Sequence, residues 1–303
     1  MSTVRICRIK LPKQDPTTGK SVPWKGAVHS SSESLYIPDP AEGKTLIINT
    51  ENEKITGSVE GTGRNSVATV CQERDLLFLT GSPDGEALVY KIGTGKTPMP
   101  IRFGFTPERI SLDSDRDILL VSNEKYSFYR YPEGKAIEYP AIQGEVRHSS
   151  FDSLEDSFII LLGNPARLAI IRSGESLSLS HDISFGDETV NSAIVCSVEK
   201  LVVAGTESGK ILVSDLNNVQ FTVVAAFREP IRKMIYNPLV NHLYVIFRES
   251  RNLAIVDLHN RKVREVEKCS SEIYDIIFDE LHNKVYALLP SVPALEAYLD
   301  MGR

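Results

Sequence analysis

Several arginines fall at similar points of a repeat that runs through the chain, and they form the clearest chemical arrangement in the sequence. Arg109, Arg147 and Arg232 lie near the start of the first strand predicted in three different repeats. Turns predicted at the same end of the repeats add further arginines, namely Arg64, Arg167, Arg228, Arg248 and Arg251. Because guanidinium binds carboxylate and phosphate through paired hydrogen bonds, these residues predict a candidate site for acidic or phosphorylated segments of a partner protein.

The competing interpretation is ordinary surface charge, since glutamates stand beside these arginines at Glu108, Glu145 and Glu229. The sequence favours this second interpretation, because neighbouring charges of opposite sign usually pair on a protein surface. Joint charge reversal at Arg109 and Arg232 separates the two, since it abolishes partner binding only where the arginines form a site.

No local pattern predicts a catalytic residue, a cofactor or a bound nucleotide. The stretches YKIGTGKTP and PAEGKT end like a phosphate-binding loop, but Tyr90 and Pro38 stand where that motif requires its first glycine. Neither stretch opens a predicted helix, whose amides would hold the phosphate. We interpret both lysines as turn residues and expect no cofactor.

No metal site is predicted either, because the six histidines do not share one repeat position. His29 and His148 lie on predicted first strands, and we expect them to be hydrogen-bonded residues rather than metal ligands. Asp215, Asp257 and Asp300 are predicted to share a strand-end position, where carboxylates usually accept hydrogen bonds from turn amides.

Composition places the chain among water-soluble globular proteins. Of 303 residues, 42% are hydrophobic and 24% are charged, and the formal net charge is -6. That negative balance provides no general field for a nucleic-acid backbone or an anionic membrane. The four cysteines are scattered singly and no apolar leader is evident, so we expect reduced thiols and an intracellular protein of the cytoplasm, the nucleus or both.

A repeat of about 42 residues is the strongest signal for the fold. Short apolar runs begin at Leu35, Leu76, Ile118, Phe158, Leu201, Leu243 and Val285, so that successive starts differ by 41, 42, 40, 43, 42 and 42 positions. A second apolar run follows each of them, with ends separated by 39 to 43 positions. Because both sets of apolar runs recur at the same interval across the chain, they predict seven equivalent units.

Each unit contains four short runs rich in β-branched, aromatic and aliphatic residues, with turn residues between them, which predicts four antiparallel strands. Seven such sheets predict an all-β, seven-bladed β-propeller in a single domain of 303 residues. The predicted blades span 25–61, 62–103, 104–144, 145–186, 187–227, 228–269, and 270–303 joined by 1–12.

The ends of the sequence predict how the last blade is completed. The seventh unit ends after its third strand, whereas an extra strand, TVRICRIKL, precedes the first unit. We expect this N-terminal strand to complete the seventh blade and to bury Val4, Ile6 and Ile9, at roughly 1.5 to 3 kcal/mol each. Without it, the sheet would present an open edge.

Two motifs resemble known propeller repeats. AGTESGKILVSDL, from Ala204 to Leu216, resembles the turn and third strand of the WD-repeat family, with Ser214 where that family has tryptophan. The sixth unit, which contains Asn237, Pro238 and Asn241 in its first turn, is similar to YVTN-type propeller repeats. The resemblance covers the architecture of the whole chain and, at motif level, units five to seven.

Our leading hypothesis is a non-enzymatic platform for protein interactions, a monomeric propeller within a larger complex, because no catalytic or cofactor motif is evident and propellers of the kind it resembles often work this way. A second hypothesis is a propeller enzyme, lactonase-like or a metal-dependent hydrolase, acting at a central channel. Its candidate residues are Asn65, Glu108, Glu145, Asn191 and Glu272. A third is a non-catalytic subunit of a nucleic-acid-modifying complex, which steep salt dependence of binding would reveal.

Overall fold

The computed structural model of the chain describes residues 4–11, 25–39, 41–60, 62, 67–81, 84–139 and 141–300. These residues form β-strands joined by turns, together with one short 3-10 helix at Ser30–Ser32. Within the same ranges, no helix is long and apolar enough to cross a membrane.

The described strands form seven antiparallel sheets of four strands each, here called blades 1 to 7. Blade 1 contains β2 (Ala27–His29), β3 (Ser34–Asp39), β4 (Lys44–Asn49) and β5 (Lys54–Glu60). Blade 2 contains β6 (Val67–Cys71), β7 (Leu76–Thr80), β8 (Glu86–Lys91) and β9 (Met99–Arg102). Blade 3 contains β10 (Arg109–Asp113), β11 (Ile118–Ser122), β12 (Tyr126–Arg130) and β13 (Lys135–Ile137). Blade 4 contains β14 (Glu145–Asp152), β15 (Ser157–Gly163), β16 (Arg167–Arg172) and β17 (Ser178–Ser184).

Blade 5 contains β18 (Val190–Cys196), β19 (Leu201–Thr206), β20 (Lys210–Asp215) and β21 (Thr222–Ala226). Blade 6 contains β22 (Ile231–Asn237), β23 (His242–Phe247), β24 (Asn252–Asp257) and β25 (Lys262–Lys268). Blade 7 contains β26 (Asp275–Asp279), β27 (Lys284–Leu289), β28 (Ala294–Leu299) and β1 (Val4–Lys10). Seven consecutive four-stranded antiparallel sheets define a seven-bladed β-propeller, so the predicted fold is confirmed.

The chain divides into two compact units. The C-terminal unit comprises the described residues of Met1–Pro23, Thr50–Lys54 and Glu188–Arg303, and it contains blades 5, 6 and 7. The N-terminal unit comprises the described residues of Trp24–Asn49 and Ile55–Asp187, and it contains blades 2, 3 and 4 and most of blade 1.

The closing strand joins blade 7 as expected. β1 runs antiparallel to β28, and a β-bulge at Ile6 interrupts their register. Ile9 is buried as predicted, but Ile6 is 41% exposed, because the extra residue of a bulge falls out of the alternation of the strand. The prediction for Ile6 was therefore wrong, and the side chain of Val4 lies outside the described part of the chain.

The second strand of each blade is buried on both of its faces, which explains why its apolar run marks the repeat so clearly. In β23, Leu243 and Val245 pack into a cluster with blade 5, whereas Tyr244 and Ile246 pack into a cluster with blade 7. Alternate residues of one strand thus belong to two separate cores. The burial of each large apolar side chain stabilises the fold by roughly 1.5 to 3 kcal/mol.

One backbone feature recurs in all seven blades: a residue in the left-handed region immediately precedes the second strand. Its φ lies between 47° and 56°, and the residues are Glu33, Asp75, Asp117, Asp156, Lys200, Asn241 and Asn283. In blades 2 to 7 the carbonyl of this residue accepts a hydrogen bond from the residue after the third strand, as Leu258 N–H donates to Asn241 and Asp300 N–H to Asn283. The turn is thereby tied to the third strand of its own blade.

In the N-terminal unit these turns also join neighbouring blades. The Arg74 guanidinium lies 2.9 Å from the carboxylate of Asp117, and the Arg116 guanidinium lies 3.0 Å from that of Asp156. The hydrogen bonds that Arg116 donates to Asp156 and Asp113 raise the pKa of Arg116 above its usual value. A basic side chain in one turn thus binds the left-handed aspartate of the next blade.

Candidate interaction surface

Arg147 and Arg232 occupy the same register position, which is the extra residue of a β-bulge at the start of the first strand. The pairing of β14 with β15 skips Arg147, and the pairing of β22 with β23 skips Arg232. Asn191 is the corresponding residue of β18. Arg109 lies one position further along, where it pairs regularly with Ser122. The expected equivalence therefore holds for Arg147 and Arg232, and Arg109 is displaced by one residue.

In the N-terminal unit the arginines are paired with acidic neighbours. Arg147 lies 3.0 Å from Glu145, whereas Arg109 lies 3.8 Å from Glu108. Arg167 binds both carboxylate oxygens of Asp182 on the adjacent strand. Exposed ion pairs of this kind contribute about 0 to 1 kcal/mol each. Both glutamates behave as the surface-charge interpretation predicts.

The side chain of Arg147 lies directly against Gly163 of the neighbouring strand β15. A Cβ atom at position 163 would lie 2.8 Å from Nε of Arg147, which is closer than two non-bonded heavy atoms pack. The glycine therefore leaves the space through which the arginine extends.

The arginines of the C-terminal unit form a more extended arrangement. The guanidinium of Arg232 lies over the ring of Tyr274, 4.0 Å from its centroid. Glu272 lies 3.8 Å away, beyond hydrogen-bond distance. Among the described residues, the Arg232 N–H groups donate no hydrogen bond, although a guanidinium carries five N–H donors.

Arg248 extends this arrangement toward blade 5. Its two terminal nitrogens donate to the two carboxylate oxygens of Glu207, at 2.8 and 3.0 Å. The side-chain amide of Asn191 donates to Glu207 at 2.6 Å and to the Ile231 carbonyl at 2.9 Å. We call the connected set the arginine surface, and it comprises Asn191, Glu207, Arg232, Arg248, Glu272 and Tyr274.

The remaining arginines of the prediction lie apart from these contacts. Arg228 and Arg251 are exposed, and Arg64 lies outside the described residues. The surface-charge interpretation expected Glu229 to pair with an arginine, but within the described part of the chain it does not. It accepts hydrogen bonds from Ser250 and Asn252, each at 3.1 Å.

The residues considered for an enzyme are bound to their neighbours. Glu108 and Glu145 pair with arginines of the N-terminal unit, Asn191 donates to Glu207 and Glu272 lies beside Arg232. Asn65 lies outside the described residues. Over the ranges that the structure describes, no three or more His, Cys, Asp and Glu side chains are grouped to hold a metal ion.

His29 and His148 lie at different positions of their strands. His29 ends β2, where its Nδ1 lies 2.7 Å from the Ser32 hydroxyl and its Nε2 lies 3.3 Å from Asp75. His148 lies in the middle of β14, where it pairs with Leu161. The two histidines therefore do not share a repeat position.

The three strand-end aspartates do not share one register. Asp215 and Asp257 are the last residues of their strands, and each accepts hydrogen bonds from turn amides. Asp300 follows its strand by one residue, is 4% exposed, and accepts hydrogen bonds from His242 and Tyr244 of blade 6. The predicted equivalence of Asp300 was wrong, because Leu299 pairs with Lys284 as Asp257 pairs with His242, and Asp300 is the residue after that position.

The phosphate-loop resemblance at YKIGTGKTP corresponds to an irregular connection between β8 and β9. Gly93 and Gly95 adopt φ values of 78° and 61°, and Lys96 follows the second glycine in a segment without a helix. Lys44, in the other stretch, is the first residue of β4. Neither lysine therefore stands at the N-terminus of a helix.

The blades, their order and the completion of blade 7 by β1 define the chain as a seven-bladed β-propeller. It is similar to a chain of hydrazine synthase from Kuenenia stuttgartiensis, with a TM-score of 0.77 and 10% identity over 96% of this chain and 98% of that one. It is also similar to a chain in the crystal structure of the mitotic checkpoint complex, with a TM-score of 0.76 and 10% identity over 99% and 92%. No protein-family model matches the chain. At this identity the likeness concerns the fold.

Tyr274 and Glu207 show what the repeat pattern missed. Tyr274 precedes β26 and Glu207 follows β19, so neither is part of a strand that marks the repeat. The signal for Tyr274 is its position 42 residues after Arg232: equivalent positions of neighbouring blades are close in space.

Proposed function

We propose that this chain is a non-enzymatic platform for protein interactions within a larger complex, and that the arginine surface is one of its docking sites. The observation that carries the proposal is the position of Arg232, stacked 4.0 Å above Tyr274 with no hydrogen bond from its N–H groups among the described residues. A carboxylate or phosphate of a partner is the acceptor that these donors fit best.

Stacking makes Arg232 a suitable anchor. An arginine held against an aromatic ring loses less side-chain entropy when it binds. Arginine and tyrosine are also the residue types that most often dominate the binding energy of protein interfaces. Glu272 lies too far away to saturate the guanidinium, so an acidic partner group can compete with it.

The similarity to a chain of the mitotic checkpoint complex supports the general role, since that chain belongs to a multiprotein assembly. Propellers serve many unrelated functions, so the specific proposal depends on the arginine surface. An intracellular location, in the cytoplasm, the nucleus or both, forms part of the proposal.

Affinity purification of the full-length protein, with quantification of co-purifying chains by mass spectrometry, tests the role. We expect a stoichiometric partner set whose recovery falls at least about tenfold with Arg232→Ala, because the lost charge-assisted hydrogen bonds contribute about 1.5 to 3 kcal/mol. Arg232→Lys keeps the charge but not the planar donors, and we expect it to restore only part of the binding.

Arg102→Ala is the matched control. Arg102 is an exposed arginine on β9, the outermost strand of blade 2, and it lies 2.6 Å from Glu86. Its partner set should equal that of the unmodified protein. A protein recovered alone, or partners equally reduced by both alanine variants, would overturn the proposal.

A further inference from the structure

A groove of about 470 Å³ lies between blades 1 and 2 of the N-terminal unit. Its apolar lining includes Tyr36, Ile47, Val59, Leu77 and Tyr90. Tyr36, Leu77 and Tyr90 are each at least nine-tenths buried. A concave, largely apolar space with a few polar groups is the usual form of a binding site.

The hydroxyl of Tyr90 is the unexplained group in this groove. Tyr90 is 8% exposed, and among the described residues its buried hydroxyl has no hydrogen-bond partner. Burial raises the pKa of Tyr90, so the hydroxyl remains a donor at neutral pH. A buried donor without an acceptor is unfavourable, and a ligand carbonyl or carboxylate in the groove would supply the missing acceptor.

The rim of the groove carries one available positive charge. Lys91 is held by Asp75, 3.1 Å away, and by the Arg74 carbonyl. Lys96, which follows the turn at Gly95, lines the groove, is exposed and has no ion pair within the described part of the chain. The groove therefore combines an apolar interior with an ammonium group at its rim.

An unpaired strand edge borders the same groove. β5 is the outermost strand of blade 1, and Ser58, Val59 and Glu60 of that strand line the groove. An outermost strand has one edge that is not paired within its sheet, along which an extended segment can lie. Extended peptides commonly combine such main-chain contacts with a side chain that enters an adjacent pocket.

We propose that this groove binds an extended peptide segment of a partner protein, in which a large apolar side chain is followed or preceded closely by an acidic residue. The apolar side chain fills the space between Tyr36, Leu77 and Tyr90, and the Tyr90 hydroxyl donates to a peptide carbonyl. The acidic residue contacts Lys96. The inference rests on the proposed role in protein interaction, but the site is separate from the arginine surface.

Selection from a phage-displayed library of random nine-residue peptides on the full-length protein tests this specificity. We expect enriched peptides to share a large apolar residue within two positions of Asp or Glu. Fluorescence anisotropy with the most enriched peptide then gives its affinity for the unmodified protein and for variants of the groove.

Val59→Trp places an indole in the groove from an outermost strand, and we expect it to weaken the peptide at least about tenfold. Val223→Trp is the matched control, since Val223 is an exposed valine on β21, the outermost strand of blade 5. It should leave the affinity unchanged. Lys96→Ala should weaken the peptide about threefold to tenfold, and the loss should diminish as salt is added.

Tyr90→Phe separates a binding role from a structural one. Removing a hydroxyl that has no partner should leave the melting temperature unchanged or raise it, while the peptide binds about threefold to tenfold more weakly. A lower melting temperature with unchanged affinity would overturn the assignment of the hydroxyl to a ligand.

The other outcomes are equally decisive. A library without a shared apolar and acidic pattern, or a peptide whose affinity is the same for Val59→Trp, would overturn the proposal. Sedimentation would reveal a second copy as the occupant, as a dimer that Val59→Trp dissociates, and that result would overturn it too. Because Arg232→Ala should not change the peptide affinity, failure here leaves the arginine surface to be judged by its own test.

Discussion

His242 and Asp300 are joined by a buried hydrogen bond between blades 6 and 7, with 2.7 Å between Nδ1 and Oδ2. Tyr244 donates its hydroxyl to the same oxygen at 2.6 Å, and burial together with Asp300 raises the pKa of Tyr244. An Arg264 nitrogen lies 2.9 Å from Nε2 of His242. Since arginine only donates, the imidazole accepts at Nε2 and donates from Nδ1. One carboxylate of blade 7 thus serves two donors of blade 6.

Asp300→Ala is expected to lower the free energy of unfolding by about 3 kcal/mol, because it leaves two buried donors without an acceptor. Urea unfolding measures the loss. Asp215→Ala is the control, since Asp215 is exposed and accepts hydrogen bonds from turn amides, and it should cost about 1 kcal/mol or less. Equal losses in the two variants would contradict a special role for the buried cluster.

Deletion of residues 1–11 is expected to lower the melting temperature strongly. The deletion removes β1 together with the buried side chains of Ile9 and Leu11, which are 6% and 1% exposed, and it exposes an edge of β28. Those two side chains alone contribute roughly 3 to 6 kcal/mol, a large part of a typical total of about 5 to 15 kcal/mol. An unchanged melting curve would contradict closure by this strand.

Glu296→Gln is expected to reduce stability at neutral pH and to have less effect in acid. Burial disfavours the Glu296 carboxylate, but hydrogen bonds from Ser270 and Tyr298 and the charge of Arg5 outweigh it, so that the pKa of Glu296 is lowered. Because its pKa is lower in the folded state, ionised Glu296 stabilises the fold at pH values above the unfolded-state pKa of about 4.3. That stabilisation is lost as the pH falls through the folded-state pKa.

Unfolding free energies measured between pH 7 and pH 2 for both proteins test this dependence. The difference between them should shrink below about pH 4. Glu133→Gln, at an exposed turn residue, is the control for the loss of one negative charge. A difference that stays constant across the whole range would count against the predicted linkage.

The thiols are expected to resist alkylation in the native protein. Burial raises the pKa of Cys71 to about 11 and that of Cys269 to about 12, and the thiolate is the reactive form. Mass spectrometry after iodoacetamide treatment at pH 7.5 should therefore detect Cys7, which is only partly buried, before the other three. Rapid modification of Cys71 or Cys269 without denaturant would disprove this order.

The architecture was predictable because its signal is repeated. Strands such as β23 are buried on both faces, so their apolar runs return at the repeat length and reveal blade number, strand order and the missing strand of blade 7 together. The bulge at Ile6 was not predictable. It displaces a single residue, while the residues on either side of it pair regularly with β28.

The arginine surface was predictable only in part. The repeat places Arg147 and Arg232 near the start of first strands, but it does not show that Arg232 stacks on Tyr274 while Arg248 binds Glu207. These contacts join residues of different blades, and they depend on side-chain directions that the sequence period does not encode. The groove beside Tyr90 was missed for the same reason.

The left-handed residue before each second strand has a consequence for how this chain can change over time. Four different residue types, Glu, Asp, Lys and Asn, hold the same backbone conformation at that point. What the seven units have in common is therefore a path of the main chain more than a set of side chains. Such a chain can drift in sequence from blade to blade while every blade keeps its shape, and a comparison that scores amino-acid identity alone underestimates how alike the seven blades are.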